Sequence, residues 1–342
     1  MMRKKHIFGA ISLVLVAVII CVAVYVDNQN RLYSQSQFAM DTVMSYKLCG
    51  SNAEKTIDEL KEYVSGIDKK LSLYNEDSEI FKINQNAGKD FTKVSSETFE
   101  ILSLSKELSK QSDGALDLTV APLTSLWGVN SNSPKVPSDE EIEIAKKLVD
   151  CSSVILDNQT MSVKLQIEGQ AIDLGGFAKG YVCEKAVEIC RKNNVKKGII
   201  AIGGNVAIIG EEISVSIRTP EKNASGYFMS VKIEDEIIST SGGYERYFVE
   251  NGKTYEHIIN PITGYTAQSD LLSVTVISKN GILTDALSTQ LYVQGLDAVK
   301  SLLTETDFGI IAVDKNKAVY ISNHLKDKVE LTEYFSDYHF AE

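Results

Sequence analysis

Apolar residues recur at helical spacing in the first half of the chain. Residues 53–73 place one apolar stripe at Ile57, Leu60, Val64, Ile67 and Leu71, and a repeat of about 3.6 residues is typical of an amphipathic helix. Segments 95–111 and 138–149 follow the same pattern, and each begins with a serine that can cap the first turn. We therefore predict helices over 53–73, 95–111 and 138–149.

After about residue 151 the pattern changes to short apolar and β-branched runs, which are typical of strands. The predicted strands cover 153–156, 162–167, 198–202, 206–209, 213–218, 228–233, 237–240 and 272–277. Two predicted helices, 178–193 and 284–292, interrupt them. Strands with hairpin-length connections favour an α+β fold of mixed and antiparallel sheets flanked by helices over a doubly wound parallel sheet.

The N-terminal segment is apolar throughout. Residues 7–26 hold no charged side chain, and Arg3, Lys4 and Lys5 precede them. About 20 helical residues span roughly 30 Å, the hydrocarbon thickness of a bilayer, and a basic flank stays in the cytoplasm. We predict a cytoplasmic tip (1–6), a membrane anchor (7–26), a short stalk (27–37) and a folded domain (38–342) outside the cytoplasm, at the bacterial cell surface or in the periplasm.

Two alternatives to an anchor remain for residues 7–26: a cleaved signal peptide, and a lipoprotein signal that uses Cys21. The apolar run is longer than a usual signal core, and no small-x-small cleavage site follows it. Ile20 is bulky where a lipoprotein signal has a small residue. We therefore favour the anchor, and lipidation at Cys21 would also tether the domain to the outer face of a membrane.

Composition narrows the classes of function. Of the 342 residues, 44% are hydrophobic, which is enough for a sizeable core. The net charge is -11, and a nucleic-acid-binding protein needs clustered Lys and Arg, so we set that class aside. An acidic protein that binds a nucleotide must use backbone N–H groups, a helix N-terminus, a specific cation or a metal ion.

The five cysteines lack CxxC spacing, which argues against a disulfide framework or a zinc site. Cys183 and Cys190 fall on one predicted helix, roughly 10 Å apart along its axis, and cannot bond to each other. We expect buried free thiols.

Two glycine turns can bring the backbone close to a ligand. DLGGFAKGY (173–181) leads from a strand end into a helix, whose N-terminus offers free N–H groups to an anion. Lys179 lies in the first turn, where a cation opposes the helix dipole, and this favours an anionic partner. IGGN (202–205) is the second turn. Either turn could instead be purely structural.

Three further segments hold polar groups near turns. STSGGYER (239–246) is a polar glycine loop, in which Glu245 and Arg246 could simply be solvated. His257 precedes an Asn-Pro turn, where a histidine can be structural, bind phosphate or transfer a proton. Segment 113–128 places Asp117 and the only tryptophan on either side of a proline turn.

Asp285, Ser288 and Thr289 share one face of the predicted helix 284–292. Hard oxygen ligands on a rigid element suit Mg²⁺. The alternative is that Asp285 caps the start of its own helix.

Together and in this order, the segments resemble the ApbE family, the FAD:protein FMN transferases. The resemblance covers about residues 38–295 through eight motifs: FAMDTVM, LSLYNEDSEIFKIN, GALDLTVAPLTSLWG, DLGGFAKGY, IGGN, STSGGYERYF, HIINPITGY and TDALSTQLYVQG. It implies an ApbE-like fold and Mg²⁺-dependent cleavage of the FAD pyrophosphate. FMN would pass to a Ser or Thr hydroxyl of a partner flavoprotein, and AMP would be released.

The resemblance also assigns residues. It implies FAD contacts at Met40, Tyr74, Ala115, Leu116, Asp117, Asp173, Lys179, Gly203, Gly204, Asn205 and Ile259. It implies metal ligands at Asp285, Ser288, Thr289 and the backbone carbonyl of Gly176. His257 matches the family's histidine beside the pyrophosphate and is our candidate base, with Asp285 or Asp173 as alternatives.

The chain departs from the family pattern at a few positions. Gly243 stands where the family often has Asp, Asn260 replaces a frequent Asp, and Leu116 and Leu118 replace the usual Phe and Pro. None of these changes removes a proposed metal oxygen. Two rival hypotheses remain: an FAD pyrophosphatase that gives FMN and AMP, and a flavin-binding protein without turnover.

Overall fold

The structure, a computed structural model, describes residues 30–221, 226–332 and 337–341. The expected basic tip (1–6) and apolar segment (7–26) lie outside these residues. Among the described residues, no helix combines the length and the apolar character that crossing a membrane requires.

All five predicted helices are present, and shorter helices lie between them. In chain order, the helices α1 to α8 are Ala53–Leu71, Glu79–Gln85, Ser96–Gln111, Ala121–Trp127, Asp139–Lys146, Ala178–Lys192, Gly281–Gln294 and Leu296–Ser301. Two expected caps are confirmed. Ser95 accepts a hydrogen bond from the Thr98 N–H, and Ser138 forms a full capping box with Glu141.

The described residues form strands β1 to β17. They are Leu32–Ala39, Thr42–Cys49, Thr92–Lys93, Val154–Asp157, Ser162–Leu165, Lys197–Ile202, Asn205–Ile209, Ile213–Arg218, Tyr227–Ile233, Ile237–Ser241, Tyr247–Glu250, Lys253–Glu256, Leu271–Ser278, Gly309–Asp314, Ala318–Ile321, Val329–Leu331 and His339–Phe340. Short 3₁₀ turns cover Cys151–Ser153 and Asn323–Lys328.

One large sheet organises the fold. Its nine strands run in the order β1-β2-β6-β7-β10-β13-β14-β15-β17, and neighbours pair antiparallel except for the parallel pair β15 and β17. Three small sheets, β16-β9-β8, β3-β5-β4 and β11-β12, complete the described part. The expected α+β class, with a mixed sheet flanked by helices, is confirmed.

The large sheet is covered on both faces. Ala207 and Ile209 pack in one apolar cluster with residues of α1 and α6, whereas Ile208 packs in a second cluster with Phe228 and Val231 of β9. Successive residues of a strand point to opposite faces, so helices cover one side of β7 and the small β16-β9-β8 sheet covers the other.

Two expectations about local structure are wrong. Most of the expected stalk, 27–37, is strand, because Leu32–Gln37 belong to β1 and pair with β2. β1 is an edge strand whose middle residues, Ser34 to Gln37, are polar and exposed or half-buried, so its composition is similar to that of a linker. The expected proline turn is a helix, since Pro122 lies in the first turn of α4, where its missing N–H costs nothing.

Helices α6 and α7 touch at a pair of glycines. A Cβ atom on Gly180 would lie 2.6 Å from the Cβ of Asp285 and 2.8 Å from the carbonyl carbon of Gly281. A Cβ atom on Gly281 would overlap the carbonyl oxygen of Gly180. Only glycine at both positions allows the backbones to come this close, and the contact brings the first turn of α6 onto α7.

We predict that Gly180→Ala lowers the free energy of unfolding by about 1–3 kcal/mol, because the added methyl forces α6 and α7 apart. Gly66→Ala is the matched control, since Gly66 lies in α1 and a Cβ there meets nothing within 4 Å. That control should raise the free energy of unfolding by about 0.5–1 kcal/mol through helix propensity. Urea unfolding followed by circular dichroism measures both, and equal stabilisation by the two variants would contradict the crossing.

Candidate active site

The DLGG turn leads directly into α6. One carboxylate oxygen of Asp173, Oδ1, accepts a hydrogen bond from Gly175 N at 2.8 Å, and Oδ2 accepts one from the Thr124 hydroxyl at 2.9 Å. The Asp173 N–H donates to the carbonyl of Leu118. These bonds hold the turn against α4 and the segment before it, so that α6 starts at a fixed place.

Asp285 projects from α7 onto the first turn of α6. Its Oδ2 accepts a hydrogen bond from Gly180 N at 2.9 Å, and its Oδ1 accepts one from the Asn205 side-chain amide at 3.3 Å. Gly180 N is one of the first-turn donors that a helix leaves without an internal partner. Asp285 does not cap its own helix, because Asn280 is the N-cap residue of α7 and accepts from Leu283 N.

A cluster of hydroxyl groups lies beside Asp285. Ser241 Oγ, at the end of β10, is 2.9 Å from Ser288 Oγ and 3.0 Å from Thr289 Oγ1. Both α7 hydroxyls also lie within hydrogen-bond distance of the backbone carbonyl of Asp285. We call Ser241, Asp285, Ser288 and Thr289 the oxygen cluster. A Cβ atom built on Gly176 would lie 3.8 Å from Thr289 Oγ1, so the DLGG turn borders this cluster.

The donor set of the oxygen cluster fits Mg²⁺. In the described ranges, no group of three or more His, Cys, Asp and Glu side chains could hold a metal ion. A cation there would therefore use the Asp285 carboxylate together with hydroxyl and carbonyl oxygens. Mg²⁺ is commonly bound by one or two carboxylates, waters and substrate phosphates, whereas zinc prefers nitrogen and sulfur ligands.

Two basic side chains, Lys179 and Arg246, lie near the DLGG and IGGN turns. Lys179 Nζ donates to the carbonyl of Gly175 at 2.8 Å, and its Cδ would lie 3.5 Å from a Cβ on Gly203. Arg246 Nη2 donates to the carbonyl of Asp41 at 2.8 Å. Glu245 reaches solvent, yet desolvation raises the pKa of its carboxyl, while Lys179 and Arg246 counteract this effect. Glu245 and Arg246 thus belong to a charged group around the turns.

His257 follows β12 and faces this charged group. Its backbone N–H donates to the carbonyl of Arg246 at 3.0 Å, and its Nδ1 lies 3.2 Å from the same oxygen. A carbonyl oxygen only accepts, so Nδ1 carries the proton and Nε2 keeps a lone pair. His257 is half-buried, and desolvation outweighs the hydrogen bond to the Arg246 carbonyl, which favours the charged ring; with the charges of Arg246 and Lys179 it lowers the pKa of His257 from 6.5 to about 4. At neutral pH the ring is therefore an uncharged proton acceptor.

Met40 and Tyr74 lie at the open side of the site. Met40 and Asp41 have positive φ values of 49° and 56° and form the two-residue turn between β1 and β2. Tyr74 is 78% exposed. Burial of part of its ring raises the pKa of its hydroxyl, and the charges of Asp173 and Asp41 add to this effect. Tyr74 therefore lies near the DLGG turn, where an aromatic face is open to a ligand.

The remaining predicted FAD contacts differ in whether their side chains are available to a ligand. Leu116 lies next to Gly176, and Gly203 and Gly204 precede the buried Asn205 in the second turn. The Asp117 carboxylate is used internally, because it accepts from Thr119 and from Cys151 N. Ala115 is buried, and Ile259 packs with Trp127 in a separate apolar cluster. The structure thus groups most predicted residues around α6 and α7 and directs the Asp117 side chain elsewhere.

Sequence inspection did not identify Ser241 as a member of the site. Its hydroxyl meets Ser288 and Thr289 from a strand about 47 residues earlier, and nothing in the local pattern indicates such a contact. The motif around it, STSGGYER, was the only available indication. The expected free thiols are present: Cys49, Cys151, Cys183 and Cys190 are unbonded, and only the last two are buried.

Comparison with known proteins points to one family. The model of the ApbE family matches residues 40–313. The FAD:protein FMN transferase of Klebsiella pneumoniae is 32% identical over 297 residues, which are 86% of this chain and 93% of that protein. The FAD:protein FMN transferase of Haemophilus influenzae is 27% identical over 346 residues, 96% of this chain and 99% of that protein.

Two solved structures of ApbE proteins also resemble this chain in fold. The ApbE protein of Thermotoga maritima superimposes with a TM-score of 0.78 and 31% identity over 90% of this chain and 98% of that one. The flavin transferase ApbE of Vibrio cholerae has a TM-score of 0.75 over 87% of this chain and 99% of that one. At 24% identity, the second similarity concerns the fold alone.

We predict that His257 titrates near pH 4 in the purified protein. NMR of the histidine ring protons measures the midpoint, and the spectrum of His257→Gln assigns the signal. The sign follows from burial, which disfavours the charged form of histidine and lowers its pKa. A midpoint at 6 or above would mean that the ring is solvated and would contradict the geometry.

Proposed function

The chain belongs to the ApbE family, and from this we infer that it is an enzyme, an FAD:protein FMN transferase. The resemblance that the motifs indicated is thereby confirmed. The observation that supports this function most directly is the Asp285 carboxylate, held by Gly180 N and Asn205 beside three hydroxyl groups. This is an arrangement for a phosphate-bound cation rather than for a covalent intermediate on the protein.

The reaction breaks one P–O bond of the FAD pyrophosphate and forms one new P–O bond. The hydroxyl oxygen of the acceptor protein attacks the phosphorus of the FMN half, AMP leaves, and the proton of the hydroxyl must pass to a base. His257 Nε2 fits this role, because the ring is neutral and its other nitrogen is fixed by Arg246. Both Asp173 oxygens hold the DLGG turn, and Asp285 lies in the oxygen cluster that suits a cation, which favours His257 among the three candidates.

We assign Mg²⁺ binding to Asp285, Thr289, Ser288 and the carbonyl of Gly176. Bound there, the cation would neutralise charge on the pyrophosphate oxygens. The chain itself supplies the rest: the N-terminus of α6 and Lys179 attract the phosphates, and the turn at Gly203 allows the backbone close to the nucleotide. Met40 and the exposed ring of Tyr74 fit the flavin side of FAD.

We further propose that residues 7–26 anchor the enzyme in the membrane, with the catalytic domain outside the cytoplasm. The charge-free run and its basic flank support this orientation. The acceptor would then be a flavoprotein whose target Ser or Thr is accessible from the same side.

Membranes from a strain that lacks this gene test the function, because they contain the unmodified acceptor. Incubating them with the purified protein, FAD and Mg²⁺ should give a protein band with flavin fluorescence that survives denaturation. EDTA should remove this labelling, and added Mg²⁺ should restore it. Release of AMP and free FMN without a labelled band would support the pyrophosphatase alternative, and unchanged FAD would exclude both enzymes.

We predict that Asp285→Asn lowers the labelling rate at least about 100-fold, because a neutral amide cannot compensate the charge of a cation. Asp314→Asn is the matched control. Asp314 is also buried, but its Oδ1 accepts from Asn316 N and Ala318 N in the turn between β14 and β15. The control should label within about twofold of the wild type. Equal rates for the two variants, measured by in-gel fluorescence over time, would refute the assignment of Asp285.

A further inference from the structure

Position 243 has no room for a side chain, because Glu256 and Tyr292 occupy the space beside it. Gly243 lies in the loop between β10 and β11, and it is not among the glycines with positive φ, so its backbone does not require glycine. A Cβ atom there would lie 2.7 Å from both the Tyr292 hydroxyl oxygen and Glu256 Cδ, and it would overlap Glu256 Oε2. The missing side chain therefore leaves room for Glu256 and Tyr292.

These two side chains are joined by a partly buried hydrogen bond. The Tyr292 hydroxyl donates to Glu256 Oε2 at 2.8 Å, and Gly243 N donates to the Tyr292 oxygen at 3.1 Å. Tyr292 is 3% exposed. Burial and the Glu256 carboxylate raise the pKa of its hydroxyl, which keeps its proton and remains the donor. A charge-assisted bond of this kind is stronger than a neutral one.

The bond joins three segments of the active site. Tyr292 lies on α7, one turn after Ser288 and Thr289 of the oxygen cluster. Glu256 ends β12 and immediately precedes His257. The loop that contains Gly243 also supplies the Arg246 carbonyl that fixes His257. The Tyr292 hydroxyl thus connects the helix of the oxygen cluster to both segments that hold His257.

We propose that Glu256 is a positioning residue for the transfer reaction, which together with Tyr292 fixes His257 relative to the oxygen cluster. This proposal rests on the proposed function and gives a role to Glu256 and Tyr292, which are not among the predicted contacts or metal ligands. The family pattern often has Asp at position 243, and here a carboxylate enters the same space from β12. Glu256 and Tyr292 act through His257 and do not themselves touch the reacting atoms.

The kinetic test compares variants that remove or keep the bond. Tyr292→Phe and Glu256→Ala should each lower kcat about 10–100-fold, because small displacements of a reacting group have effects of this size. The KM for FAD should change by less than about threefold, since ground-state contacts remain. Glu256→Gln keeps an oxygen acceptor and should retain most of the rate. Combining Tyr292→Phe with Glu256→Ala should cost no more than either change alone.

A matched control separates positioning from general loss of packing. Tyr46→Phe removes the hydroxyl of another buried tyrosine, which donates to the side chain of Gln37 between β1 and β2. It should leave kcat within about twofold. An equal loss of kcat in Tyr46→Phe and Tyr292→Phe would overturn the proposal.

A second kinetic test asks whether the pair acts through His257. In a His257→Gln background, Tyr292→Phe should lower the residual rate no further, because the group that it positions is absent. An undiminished loss of tenfold or more in that background would show that Tyr292 acts on α7 or on the fold, and it would overturn the proposal.

The titration of His257 provides a readout that does not depend on turnover. Losing the Tyr292 hydroxyl should release the imidazole toward water and move its midpoint from about pH 4 toward 6.5, whereas Glu256→Gln should leave it in place. If the wild type transfers no FMN, the proposed function fails, but this shift still decides whether the pair positions His257. An unchanged midpoint in both Tyr292→Phe and Glu256→Ala would overturn the proposal.

Discussion

The hydrogen bond between the Asp285 carboxylate and the Gly180 N–H is the contact on which the rest of the site depends. A buried carboxylate is costly unless its oxygens are bonded, and the first turn of a helix has N–H groups without internal partners. The Gly180 N–H gives the carboxylate a hydrogen-bond donor, and the carboxylate gives the N–H an acceptor. The glycine pair Gly180 and Gly281 lets α6 and α7 come close enough for this bond. The same crossing brings Thr289 beside the DLGG turn, so one packing contact assembles carboxylate, hydroxyls and helix N-terminus.

This arrangement explains how a chain with a net charge of -11 can handle a dinucleotide. The overall field repels phosphates, so attraction has to come from short-range groups. The structure gathers them around α6: its N-terminus, Lys179 in its first turn, and Arg246 across the β1–β2 turn. Asp285 contributes the opposite charge at the proposed cation site. Neutral His257 adds a proton acceptor without adding charge.

The sequence predicted the elements that have a clear period and the residues that lie in recognisable motifs. Helix α1 follows from its apolar stripe, and the DLGG turn, Asp285 and His257 follow from the motifs. Contacts between distant segments could not be predicted, because they depend on packing. Ser241 joins the oxygen cluster from another strand, Asp117 turns toward Cys151, and Glu256 reaches Tyr292 across 36 positions. The stalk expected over 27–37 is largely β1, because the polar middle of this edge strand has the composition of a linker.

The central claim is that the site cleaves the FAD pyrophosphate by transferring its FMN half to a protein hydroxyl. The most direct measurement is the ratio of AMP released to FMN covalently attached, with AMP determined by chromatography and attached FMN by mass spectrometry of the acceptor. This account predicts one AMP for each attached FMN at every time point, with little free FMN. AMP and free FMN formed in equal amounts, with an unmodified acceptor, would contradict it.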